Sequence, residues 1–86
     1  MYRVQVSNAA AKILQKFYKS DPQLYHRFIA VFESLSRDPY QGKKLKGQFL
    51  GDYSICLGTY RIIYTIRKSE LVVYIIDLGH RREIYR

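Results

Sequence analysis

The second half of the chain carries its strongest hydrophobic pattern. Runs rich in Ile, Val, Leu and Tyr end at Leu57, extend from Tyr60 to Ile66, and continue from Leu71 to Leu78. Two short polar breaks separate them, Gly58-Thr59 and Lys68-Ser69. β-branched and aromatic runs with brief breaks predict a three-stranded antiparallel meander. Gly58 suits a tight first turn because it adopts positive φ without a Cβ clash. A two-residue turn there sets Leu57 opposite Tyr60, Ile55 opposite Ile62 and Tyr53 opposite Tyr64, all on one apolar face. The other face then carries Ser54, Cys56, Arg61, Ile63 and Thr65, with Arg61 directly across from Cys56. An arginine in mid-sheet is either a cation on a solvated face or one that requires an anionic partner.

The first half switches period. Tyr2–Val6 alternates as a short strand with Val4 and Val6 on one side. Ser7 and Asn8 are N-cap residues. Ala9, Ala10, Ile13, Leu14 and Phe17 then form a helical stripe, with Lys12, Lys16 and Lys19 away from it. Asp21-Pro22 opens a second helix, whose stripe is Tyr25, Phe28, Ile29, Phe32 and Leu35, and Asp38-Pro39 closes it. So short a connection predicts an antiparallel helical hairpin whose apolar face covers the sheet. Tyr40–Asp52 is irregular, with Leu45, Phe49 and Leu50 as candidate anchors to the core. The expectation is one α+β domain over residues 1–86, ordered β-α-α-β-β-β, with an N-terminal strand and helical hairpin packed on an antiparallel sheet.

Charge narrows the partner. Fifteen Lys and Arg stand against seven Asp and Glu, a net charge of +8, which points to a polyanion, either nucleic acid or an acidic protein. Nine Tyr and four Phe accompany the charge; basic and aromatic residues together suit stacking on bases, although most of these rings fall on core stripes. No run is long and apolar enough for a membrane span, and Lys12 and Lys16 break any signal-peptide pattern, so a cytoplasmic protein without membrane contact is expected. One cysteine makes no internal disulfide, and no His/Cys spacing suggests a metal site. No cofactor motif is present. Cys56 reads as a small apolar filler and His26 as a surface residue.

Two segments hold candidate chemistry. Lys43, Lys44 and Lys46 form either a solvated loop or a rim that contacts phosphates. Residues 79–86, Gly-His-Arg-Arg-Glu-Ile-Tyr-Arg, pack four potential cations and a tyrosine together. If this segment reaches the face of Arg61, the set suits metal-free RNA cleavage, which needs a base for the 2′-OH, cations for the phosphate and an acid for the departing 5′-oxygen. Arg61 with Arg81 or Arg82 would hold the phosphate. His80, ordinarily titrating near about 6.5, would move protons. Tyr85 would do so if nearby cations lowered its pKa from about 10. The competing reading is a basic tail whose Ile84 and Tyr85 merely pack.

Three pieces, Lys44-Leu45-Lys46-Gly47, Gly58-Thr59-Tyr60-Arg61-Ile62-Ile63-Tyr64 and Gly79-His80-Arg81-Arg82-Glu83-Ile84-Tyr85, give the chain over nearly its whole length a resemblance to the RelE/ParE superfamily of toxins, its RelE branch in particular. The resemblance implies a toxin that cuts mRNA in the ribosomal A site without a metal, and a RelB-like antitoxin that wraps it in a hetero-oligomer. It assigns Arg61 to phosphate binding, Arg81 (or Arg82) to the arginine after the last strand, Tyr85 to base stacking and proton transfer, and His80 to an often basic position. Lys43, Lys44, Lys46, Arg82 and Arg86 are the further candidate RNA contacts. One departure stands out: Ser54 and Cys56 occupy positions where the type member has lysines. The alternatives are a ParE-like inhibitor of DNA gyrase, and a degenerate member that binds its antitoxin without nuclease activity.

Overall fold

The computed structural model describes residues 1–47 and 50–80. Strand β1 (Arg3–Val6) leads into helices α1 (Asn8–Ser20) and α2 (Pro22–Arg37). A 3-10 turn at Pro39–Gln41 and a two-residue strand β2 (Lys43–Lys44) follow. Strands β3 (Asp52–Leu57), β4 (Tyr60–Arg67) and β5 (Val72–His80) form the meander. The sheet order is β1-β5-β4-β3-β2. The meander is antiparallel as its pattern predicts, and β1 joins its far edge parallel to β5, so the sheet as a whole is mixed.

Capping explains the helix ends. The Ser7 hydroxyl accepts the Ala10 amide at 3.1 Å and starts α1. Asp21 donates its backbone N–H to the Phe17 carbonyl at 2.7 Å, closing α1, while its Oδ1 accepts the Leu24 amide at 3.2 Å, opening α2. Asp38 repeats the device: its N–H ends α2 on the Ser34 carbonyl, and its Oδ1 accepts the Tyr40 amide of the next turn. Each Asp-Pro pair therefore stops one element and starts another.

The first hairpin has the predicted register, with Gly58 at φ +60. The second connection differs from a two-residue Lys68-Ser69 turn. Tight hairpin turns need left-handed backbone at their centre, which Lys and Ser disfavour. The chain instead forms a 3-10 turn over Lys68–Glu70 and places Leu71 in the left-handed region, φ 54 and ψ 49.

One face of the sheet packs on the helices. Ala10, Leu14, Leu24, Phe28, Phe32 and Leu35 meet Ile62, Tyr64, Val73, Ile75 and Leu78 in a continuous core. Leu24 joins it ahead of the predicted stripe, and Leu50 departs from expectation: it is 80% exposed, in the turn that it forms with Gly51. Phe49 lies outside the described residues.

Tyr64 is fully buried, yet its hydroxyl is satisfied. It donates to the Pro39 carbonyl at 2.7 Å and accepts the Gly42 amide at 3.1 Å. Its ring stacks on Tyr53 at 5.6 Å. Burial pushes its pKa from 10 to about 12. A Cβ on Gly42 would meet the Tyr64 hydroxyl and come within 2.8 Å of the Ser54 carbonyl oxygen, so the chain there requires glycine. Tyr64→Phe is expected to destabilise the fold by about 1–3 kcal/mol in urea titrations, because two buried backbone groups lose their partner. The raised pKa gives a second readout. Between pH 10 and about 12 the unfolded phenol ionises before the folded one, so wild-type stability falls with rising pH across that window. The fall should be shallower in Tyr64→Phe.

Candidate active site

Alternation along β3, β4 and β5 divides the candidate residues between two faces. With Ile62, Tyr64 and Leu78 committed to the helices, Arg61 and Ile63 point to the opposite face. Arg61 pairs with Cys56 on one side and Gly79 on the other. Cys56 is exposed, and Gly79 presents no side chain. The Arg61 side chain lies half-buried along the sheet with its Nε atom fully buried. This face is not a uniformly solvated surface, for Ile63 is 2% and Ser54 3% exposed. The Arg61 guanidinium is a planar cation, a shape that matches phosphate in two-point fashion.

Lys43 pairs with Ser54 and so shares the face of Arg61 at the β2 edge, where it is exposed. Lys44 pairs with Tyr53 and takes the opposite side. Lys46 is exposed beyond β2. His80 pairs with Tyr60, their rings 5.8 Å apart and edge to face. That puts His80 on the helix-covered side, where it lines a cleft of about 390 Å³ with Lys16, Phe17, Ser20 and Tyr60. The described residues thus gather Arg61 and Lys43 on one face and turn His80 and Lys44 to the other. Arg81, Arg82, Tyr85 and Arg86 lie outside the described residues.

Asp77 is the residue that pattern reading passed over. It sits opposite Ile63, on the face of Arg61, and its Oδ1 accepts the Leu78 amide at 2.8 Å. The sequence signal was a carboxylate inside an otherwise apolar run of a central strand. Uninterrupted alternation from Ile75 would have turned Asp77 into the core; a bulge in β5 reverses it, since Ile63 pairs with Asp77 while Tyr64 pairs with Ile75.

Over its whole length the chain is similar to Toxin RelG of Mycobacterium tuberculosis, at 33% identity over 99% of this chain and 97% of that protein. The family model described as the ParE toxin of the type II toxin-antitoxin system, parDE, matches residues 4–85. The chain belongs to the RelE/ParE family of type II toxins. Among solved structures, a chain of the RelBE2 toxin-antitoxin complex from Mycobacterium tuberculosis superimposes with a TM-score of 0.82 at 30% identity, covering 93% of this chain and 98% of that one. The intact RelBE complex of E. coli matches in fold with a TM-score of 0.77 at 22% identity, over 93% of this chain and 96% of that one.

Within this RelE/ParE fold Cys56 is not the buried filler its strand position suggested. Ser54 on the same face of β3 is buried, but two residues further along the strand the Cys56 thiol is exposed. Native protein should therefore react with a thiol reagent such as DTNB without denaturant. Reaction only after unfolding would contradict the exposed position.

Proposed function

We propose that this toxin is a ribosome-dependent, metal-independent mRNA endonuclease that cuts in the A site and inhibits translation in the cytoplasm. The observation that carries this reading is Arg61, held in mid-sheet with its Nε buried and flanked by the small residues Cys56 and Gly79. A guanidinium whose stem is buried in mid-sheet suits a phosphodiester that passes through a more highly charged transition state. The likeness to a RelBE2 toxin, and the net charge of +8, support a nucleic-acid target. In this reading Arg61 holds the scissile phosphate and Lys43 lies along the path of the backbone. Arg81, Arg82 and Arg86 add cations, Tyr85 stacks on a base, and Lys44, Lys46 and His80 make outer contacts with ribosome or mRNA.

A RelB-like antitoxin is the second partner. The solved relatives named above are toxin-antitoxin complexes. An apolar cleft of about 590 Å³ lies between α1, α2 and β1, lined by Val6, Leu14, Tyr18 and Tyr25 with Lys19 at its rim. Such a cleft fits an amphipathic segment with acidic flanks. The match to a ParE model favours one competing activity, inhibition of DNA gyrase.

Primer extension on a defined mRNA in a reconstituted translation reaction separates the readings. Wild type is expected to cut within A-site codons only when ribosomes are present. Arg61→Ala should lower the cleavage rate by roughly 100-fold or more, the loss of one transition-state cation, with unchanged thermal melting. No cutting by folded wild type, together with loss of supercoiling in a gyrase assay, would establish the ParE-like activity instead.

A further inference from the structure

From the bulge in β5 we infer that Asp77 is a catalytic residue of this toxin, the general base that takes the 2′-OH proton during RNA cleavage. The inference rests on the endonuclease reading above and supplies a group that reading lacks. Cleavage by an internal 2′-oxygen needs a base beside the phosphate. In the described residues the face of Arg61 carries no lysine on β3, since Ser54 and Cys56 stand there; Lys43 lies at the sheet edge two strands away, and His80 faces the other way, beside Tyr60.

Asp77 is in position. Arg61 pairs with Gly79 and Ile63 pairs with Asp77, so Asp77 is the diagonal cross-strand neighbour of Arg61. Diagonal neighbours lie about 7–8 Å apart at Cα, within joint reach of one phosphodiester and its adjoining ribose. The bulge is what brings it there. With strict alternation Asp77 would enter the core and Leu78 would occupy the face of Arg61; the extra residue, Ile76, exchanges them.

The bulge is also anchored from the far end of the chain. Ser7 donates its hydroxyl to the Ile76 carbonyl at 2.7 Å and its amide to the Ile75 carbonyl at 2.9 Å. The same hydroxyl caps α1 through the Ala10 amide. The carboxylate itself is oriented by the Leu78 amide on Oδ1, which leaves Oδ2 to accept a proton. Bulges that re-aim a side chain are concentrated next to active sites.

The step balances without a cofactor. Asp77 takes the proton of the 2′-hydroxyl as the 2′-oxygen bonds to phosphorus. The P–O5′ bond breaks and its electron pair leaves with the 5′-oxygen, which takes a proton from solvent. The proton on Asp77 returns to solvent, and the products are a 2′,3′-cyclic phosphate and a 5′-hydroxyl end.

Asp77→Asn is the decisive variant, because the amide oxygen still accepts the Leu78 N–H and the bulge is retained. Single-turnover cleavage of ribosome-bound mRNA would be compared for wild type and the variant, with a normal mRNA and with one bearing sulfur in place of the 5′-bridging oxygen. The expected result is a loss of about 100-fold or more, equal on both mRNAs, with melting temperature and antitoxin binding unchanged. Wild-type rates from Asp77→Asn would reduce Asp77 to a bulge cap and overturn the inference. A defect relieved by the sulfur leaving group would make Asp77 the acid rather than the base, also overturning it. If wild type itself does not cut, the endonuclease reading fails and the inference with it, an outcome recognised from the wild-type reaction alone.

Discussion

The hydroxyl of Tyr64 is the constraint on which the rest of the architecture depends. A phenol in the middle of a core is costly unless both its proton and its lone pair are used. Here the Pro39 carbonyl and Gly42 amide use both, and these belong to the segment between α2 and β2. A chain stretch with almost no regular structure is thereby tied to the central strand of the sheet. The close approach demands a glycine at 42, and the tie sets where Lys43 begins its pairing with Ser54. Tyr64 shares β4 with Arg61, so one strand anchors the loop on its inner face and presents the cation on its outer face.

Most of this fold could be read from periodicity because local and global preferences agree. The two Asp-Pro pairs cap and stop helices as their chemistry requires, and Gly58 sets the first hairpin register. What escaped reading depends on contacts far apart in sequence. The parallel pairing of β1 with β5 has no local signature. Leu71 takes a left-handed conformation that its side chain disfavours, and Leu50 is exposed although its side chain favours burial.

The site was legible in part for the same reason. Arg61 could be placed from a two-residue turn and simple alternation, including its position across from Cys56. His80 could not. A face assignment carried along β5 fails at the bulge, and each residue beyond Ile76 is exchanged between faces. Asp77 is the other half of that exchange. The residue that stabilises the bulge, Ser7, was recognisable as a helix cap, but its second bond to Ile76 spans nearly the length of the sequence.

The parallel contact of β1 with β5 also orders events during synthesis. β1 and the helical hairpin leave the ribosome long before the strand that β1 pairs with. Until β5 emerges, β1 lacks its pairing partner, and Phe28, Phe32 and Leu35 lack the Val73, Ile75 and Leu78 part of their core. The nascent toxin therefore passes through an interval with part of its apolar helix surface uncovered, and such surface is prone to aggregation until the last strand docks.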